Sequence, residues 1–346
     1  MKDILRHRDA VSKAVKTAIA TPRSRGGAHI ARQADFLDRL LPFATAGKLL
    51  RGCLVCFSYE ALSGQAADGT VHRAAAALEI THSALLIHDD IMDNDTLRRG
   101  RASMHRQYQE QAKEDNFADA AHYGVSIALG GGDLALFLAF GLLADCPAAA
   151  RTLFARQLAV TCAGQMQDIY LEARPGMPTR KDIEALMAAK TASYSLSLPL
   201  ALGAVLAEQP AAVIGQLQDF GVAAGTIFQI RDDELGVMGD SGATGKPVGS
   251  DIKEGKKTLL AYHLFERCDA GEKRKLQAIF GNAAATAQDV RFVRQLAERH
   301  GMQALLNDEI GRLESRAAAV IDDMTVPDTM KLTMAELVRF CAQRQS

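Results

Sequence analysis

A chain of 346 residues has room for one large domain or two ordinary ones, and 48% apolar residues with 23% charged suit a buried core rather than disorder. The 40 Lys+Arg against 41 Asp+Glu leave a formal net charge of −1, which excludes a nucleic-acid surface built on basic excess but not a local anion site. No uninterrupted apolar run approaches the 18–20 residues of a simple membrane span, so no transmembrane segment is expected. The start, MKDILRHRDAVSKAV, is charged throughout and lacks the apolar stretch of a secretory signal. Six cysteines are scattered, and only Cys53 and Cys56 lie close, flanked by Leu54, Val55 and Phe57 with no second Cys/His pair nearby. They read as buried thiols of a protein in the reducing cytoplasm.

In chain order the sequence is helical nearly everywhere, because Ala, Leu, Gln, Glu and Arg fill the long segments and strict apolar/polar alternation is scarce. Helices are predicted over 33–62, 73–90, 121–144, 149–173, 181–206, 211–236, 257–267, 289–305 and 307–323. The segment 73–90 is apolar on most sides and should be central. Pro175-Gly176, Gln209-Pro210 and Gly281-Asn282 mark breaks. No fixed-period repeat or low-complexity linker divides the chain, so a single all-α domain over 1–346 is expected, with the chemistry in about 40–260 and further helices in 270–346. Two stretches interrupt the helical pattern with polar density, 88–101 and 231–257; the second reads as a loop after a helix end.

Asp89 and Asp93 stand at i and i+4, so on a helix their carboxylates share a face, with Asp90 beside them. Asp232 and Asp233 form a second acidic pair near the end of another apolar helix. Uncompensated acids this close repel, and hard divalent cations such as Mg²⁺ relieve the repulsion through oxygen ligands. Either cluster alone is equally the mark of a solvated helix end. Cations accompany both: Arg98 and Arg99 follow the first, and Lys246, Lys253, Lys256 and Lys257 follow the second. Acid beside base, twice, suits a metal–diphosphate site in which carboxylates hold the ion and cations hold phosphate oxygens. Lys48 and Arg51 make a further basic pair at i, i+3, and His82 lies two turns before Asp89 on the same face, where a lone histidine is otherwise a satisfied core residue.

These residues together are recognisable. Asp89-Asp90-Ile91-Met92-Asp93 followed by Arg98-Arg99-Gly100 resembles the first aspartate-rich motif of trans-isoprenyl diphosphate synthases, the polyprenyl synthetase family, and most nearly its geranylgeranyl diphosphate synthases. FQIRDDELG (228–236) followed by TGKPVGSDIKEGKKT (244–258) is similar to the second motif. Gly164-Gln165 with Asp168, Lys190-Thr191, and GVSIALGGGD ending at Asp133 resemble the intervening ones, in family order. The resemblance implies an all-helical isoprenoid synthase fold around a deep central cavity, a homodimer, and head-to-tail condensation of isopentenyl diphosphate onto an allylic diphosphate. It implies about three Mg²⁺ per site, with Asp89 and Asp93 holding two, Asp232 a third, and Asp90 and Asp233 in support. Arg98, Lys190, Lys246 and Lys256 would bind the allylic diphosphate; Lys48, Arg51, His82 and Arg99 would bind isopentenyl diphosphate, with Phe228 against its chain. Thr191 and Gln229 would sit near the reacting carbons, and the departing diphosphate would take the proton.

The chain departs from the family twice. The early motif GGKRxRP reads Ala46-Gly47-Lys48-Leu49-Leu50-Arg51-Gly52, so one arginine and the proline are missing; the second acidic motif has Gly236 where a third aspartate is common. Product length should be set on the helix leading to Asp89, where one turn of about 5.4 Å roughly matches an isoprene unit. Farnesyl-length enzymes block the fifth and fourth positions before the first aspartate with aromatics; here these are Ala84 and Leu85, with Thr81 one turn further. The expected product is therefore C20, with C25 or longer and C15 as alternatives; Leu78, Tyr59, Phe137 and Phe140 are candidates for the cavity floor. A class I terpene cyclase would lack Arg98-Arg99-Gly100, and a non-catalytic synthase subunit would have lost one acidic motif.

Overall fold

A computed structural model describes residues 1–24, 31–239 and 249–344, and within it the chain forms two compact units, Met1–Leu153 with Pro199–Pro210, and Phe154–Leu198 with Ala211–Ser346. Both are built from helices, and the β structure among the described residues is one two-residue hairpin.

In the first unit α1 (Lys2–Leu5), α2 (Arg8–Ser24) and α3 (Ala31–Ala44) precede α4 (Leu50–Ser63) and α5 (Gly69–Met92). The helix expected over 33–62 is thus two helices: residues 45–49 form a turn with Gly47 at φ 81° and Leu49 at φ 51°, which presents Lys48. Asp68 starts α5 by accepting the Thr70 and Val71 N–H groups, and from Ala74 to Ala84 every residue of this helix is buried. An all-round apolar helix belongs at a core, as its composition predicts. After the hairpin β1 (Leu97–Arg98) and β2 (Arg101–Ala102) come α6 (Met104–Glu114) and α7 (Ala120–Leu142). A Cβ at Gly132 of α7 would run into the His88 ring of α5, one at Gly131 into the Phe36 ring, and one at Gly124 into the backbone at His105 and Gln109, so these glycines let α7 pack closely against its neighbours. The outer face of α7 is apolar and exposed, with Phe137 74% and Phe140 43% accessible; these two are not the floor of an internal cavity in this unit.

The second unit contains most of α8 (Ala148–Ala173), then α9 (Arg180–Met187), which begins at a reciprocal cap of Thr179 with Asp182. The helix continues through a ten-residue π-helical stretch, Ala188–Ser197, into α10 (Leu198–Leu206). Its core is α11 (Ala211–Met238), followed by α12 (Ser250–Glu254), α13 (Leu259–Arg267), α14 (Ala270–Ile279) and α15 (Ala287–Arg299). α16 (Met302–Asp323) and α17 (Asp328–Ala342) complete it. The break expected near residue 306 lies instead at His300-Gly301, so Leu305 to Asn307 are continuous helix.

Among the described residues, two helices reach membrane-span length and hydropathy, α7 with 28% and α11 with 50% of the apolar stretch buried. The interrupted runs of these segments hid a mean apolarity that the helical faces make plain. All six cysteines are free thiols, and burial pushes Cys53 and Cys56 up to about 12, so that pair is inert core.

Candidate active site

The first acidic cluster forms where α5 ends. Asp89 and Asp90 lie in its last turn, and Asp93 closes it by donating its N–H to the Asp89 carbonyl at 2.8 Å. The chain then turns back through the hairpin, whose two central residues, Arg99 (φ 54°) and Gly100 (φ 73°), both adopt the left-handed region that a two-residue hairpin requires. The sequence shows this stretch only as polar density that interrupts the helical pattern; the tight turn is what aims Arg98 at the acids. The Arg98 guanidinium donates to Asp90 Oδ1 at 2.6 Å, Asp89 Oδ2 at 3.2 Å and Asp95 Oδ2 at 3.1 Å. Asp95, buried and absent from the sequence-based set, is thereby part of the cluster. Burial pushes the Asp90 carboxyl up to about 6, with Asp95 and Asp89 adding to the rise and Arg98 opposing it. A buried carboxylate with Asp90 Oδ2 lacking a hydrogen-bond partner, beside Asp89 and Asp93, is a hard-oxygen donor set that fits Mg²⁺.

The basic residues of this unit converge on the turn before α4. Arg99 reaches the carbonyls of Phe43 (3.1 Å) and Ala46 (3.4 Å), lies over the Phe43 ring at 5.8 Å, and brings Nη2 to 3.5 Å from His82 Nε2. His82 is buried, and burial together with Arg51, Arg99 and Arg98 holds its imidazole well below the usual range, hence neutral. Lys48 is exposed and Arg51 half-buried. Among them lies a group the sequence did not single out: Glu79 of α5, buried, accepting the Gly52 N–H at 2.7 Å.

In the second unit Asp232 and Asp233 sit near the end of α11, as expected, and the helix runs on to Met238. Asp233 is buried and accepts from Gln229 Nε2 at 2.6 Å. Its carboxyl is held well above the usual carboxylate range by burial, then by Asp251 and Asp232, against the Gln229 bond and Lys256. Asp251 explains one departure from the family pattern. Its carboxylate fills the space a Cβ at Gly236 would need, so a third acid reaches this helix from α12 instead of from position 236. Asp232 pairs with Arg344 at 2.6 Å, and the same guanidinium covers the Phe228 ring at 4.2 Å. No chemistry was expected in residues 270–346; Arg344 nevertheless contacts two candidate site residues, over a separation of about a hundred residues that leaves no local signal in the sequence. Lys256 pairs with Glu254 at 3.1 Å, while Lys246 lies outside the described residues.

Lys190 lies on the π-helical stretch and donates to Asp168 of α8 at 2.5 Å, joining two motifs that sequence could only place in order. Thr191 is its half-buried neighbour. Widened helical turns of this kind re-aim side chains and recur at functional sites. Of the three chain-length positions in the first unit, Leu85 is half-buried, whereas Thr81 and Ala84 have no accessible surface.

The geometry of both acidic motifs now meets the comparisons. The model of the polyprenyl synthetase family matches residues 37–297. The chain belongs to the polyprenyl synthetase family. As a family member it is a trans-prenyltransferase, and the family is magnesium-dependent. It is 33% identical over 315 residues to a geranylgeranyl diphosphate synthase of Mycobacterium tuberculosis, covering 88% of this chain and 83% of that one. A geranylgeranyl diphosphate synthase of Saccharolobus solfataricus is 32% identical over 264 residues, 75% of each chain. Among solved structures, a geranylgeranyl pyrophosphate synthase from Corynebacterium glutamicum, complexed with isoprenyl diphosphate and magnesium, matches with a TM-score of 0.91 and 29% identity over 99% of both chains. The expected all-α fold and prenyl-transfer chemistry of this family member therefore stand.

Proposed function

We propose that this prenyltransferase condenses isopentenyl diphosphate head-to-tail with an allylic diphosphate and that its principal product is geranylgeranyl diphosphate (C20). The observation that carries the reading is the end of α5, where Asp89, Asp90 and Asp95 gather around Arg98. Carboxylates for hard cations and a guanidinium for phosphate oxygens are thus supplied at one place. The relatives whose names specify geranylgeranyl diphosphate support the C20 product, as does the absence of an aromatic at Ala84 and Leu85.

Asp89, Asp93 and Asp232 are assigned as Mg²⁺ ligands, about three ions per site, with Asp90 and Asp233 supporting. When bound, Mg²⁺ neutralises the diphosphate and weakens the allylic C–O bond as a Lewis acid. Arg98, Lys190, Lys246 and Lys256 are assigned to the allylic diphosphate, as positioned cations opposing the charge that grows on the leaving group. Lys48, Arg51, Arg99 and neutral His82 hold isopentenyl diphosphate, and Phe228 contacts its chain. Thr191 and Gln229 flank the reacting carbons; the hydrogen bond from Gln229 to Asp233 fixes that amide. An apolar surround keeps water from the allylic cation, so the isopentenyl double bond attacks it, and the cation so formed loses a proton to the departing diphosphate to restore a double bond. Diphosphate release is expected to need both Mg²⁺ and isopentenyl diphosphate, measured by a coupled phosphate assay. Release from the allylic substrate alone would indicate a terpene cyclase instead.

The enzyme is further proposed to be a cytoplasmic homodimer. Support comes from the apolar outer face of α7, and separately from that of α8, where Val160, Met166, Ile169 and Tyr170 are exposed. Faces of this kind mark a contact with another surface. Light scattering after size exclusion is expected to give twice the 37.2 kDa chain mass, without detergent. A monomer, or a requirement for detergent, would refute it.

A further inference from the structure

The start of α4 lacks the usual device for such a position. Its N-cap is Leu49, held at φ 51° and without any side-chain cap, although the first backbone N–H groups of a helix need acceptors. The acceptor comes from another helix. Glu79, in the buried middle of α5, takes the Gly52 N–H at 2.7 Å. Gly52 is the third residue of α4, one of the donors an N-cap side chain would satisfy. The approach is possible only because position 52 is glycine. A Cβ there would lie 2.6 Å from Val11 Cγ1, 3.2 Å from the Ala75 carbonyl and 3.2 Å from Glu79 Cγ. The proline that the family motif carries at this position would bring the same carbons and no N–H.

We propose that Glu79 is a positioning residue: it caps α4 from outside and thereby fixes the Lys48–Arg51 turn for isopentenyl diphosphate, with Gly52 as its complement. This rests on the assignment of Lys48 and Arg51 to that substrate. Acceptor oxygens belong at a helix N-terminus, and here a carboxyl of α5 supplies one; burial pushes the Glu79 carboxyl above its usual range, and Arg51, Arg99 and the Gly52 N–H oppose that rise. The Gly52 N–H at the start of α4 is therefore already taken, and the substrate diphosphate is assigned to the side chains of Lys48, Arg51 and Arg99. Glu79 touches neither substrate nor reacting atoms in this arrangement; it acts through the backbone it holds.

The test is steady-state kinetics with each substrate varied in turn, on Glu79→Ala, Glu79→Gln, Gly52→Ala and Arg51→Ala, with melting temperatures recorded alongside. Glu79→Ala is expected to raise KM for isopentenyl diphosphate about tenfold while KM for the allylic diphosphate stays within about twofold. Glu79→Gln, which keeps an acceptor oxygen, should recover most of that loss. Gly52→Ala keeps the carboxylate but forces the helices apart, and should raise the same KM about fivefold; it and Glu79→Gln carry the test if Glu79→Ala does not fold. Equal rises in both KM values, or a lower melting temperature with KM for isopentenyl diphosphate unchanged, would overturn the positioning role. Arg51→Ala separates the two levels. If it leaves KM for isopentenyl diphosphate unchanged, the substrate assignment itself fails; if it raises that KM and the Glu79 and Gly52 variants do not, only the present inference falls.

Discussion

Asp89→Ala is expected to reduce kcat by about a thousandfold while leaving the fold intact. The stability side of that expectation is local. Asp89 is half-buried at the last turn of α5, alanine is the stronger helix former, and Arg98 keeps its bonds to Asp90 and Asp95. The catalytic side is electrostatic. Asp89 is proposed to hold Mg²⁺, and loss of that ion would withdraw positive charge offsetting the leaving diphosphate, an effect of about 4 kcal/mol in the transition state. Turnover with labelled isopentenyl diphosphate, together with circular dichroism and a melting curve, measures both. Activity within about threefold of the parent would remove Asp89 from the metal site, and raising Mg²⁺ into the millimolar range should recover little of the lost rate.

Leu85→Phe is expected to change the product rather than the rate. Leu85 precedes Asp89 by one helical turn and retains accessible surface, so a phenyl ring can enter the space beside α5 without displacing core atoms. One turn of about 5.4 Å is close to the length of an isoprene unit, so the ring should stop elongation one unit early. The dominant product should move from C20 to C15, read by mass spectrometry of the dephosphorylated alcohols. Unchanged C20 would exclude Leu85 from the wall. Ala84→Phe is the less clean experiment: Ala84 has no accessible surface, and overpacking there costs about 1–3 kcal/mol. Thr81 is likewise without accessible surface, so Leu85 is the one of the three proposed chain-length positions that retains any, which makes it the position to test.

Much of the fold was legible because helical chemistry is local. Composition and capping residues are contiguous in the chain, so α5, α7, α8 and α11 could be bounded to within a few residues. Errors arose where left-handed residues break a helix without proline: the turn carrying Lys48, and the break at His300-Gly301. The hairpin was missed because its signal is two residues long, and a non-glycine residue, Arg99, takes half of the turn.

The candidate site divides along the same line. The order and spacing of its acids, arginines and lysines are written in the sequence, since each motif occupies one helix end or one turn. Whether a group is charged, and what holds it, depends on neighbours distant in the chain. Burial sets the direction of Asp90, Asp233 and His82, and no local pattern reports it. Asp251 over Gly236, Arg344 on Asp232, and Glu79 beneath Gly52 are likewise long-range pairings. The sequence by itself determined the family and the reaction class, and it supplied the residues proposed to meet diphosphate. Only the tertiary structure decided how the two departures from the family pattern are compensated. A missing carboxylate or proline leaves a space or an unsatisfied donor, and what fills it comes from another helix.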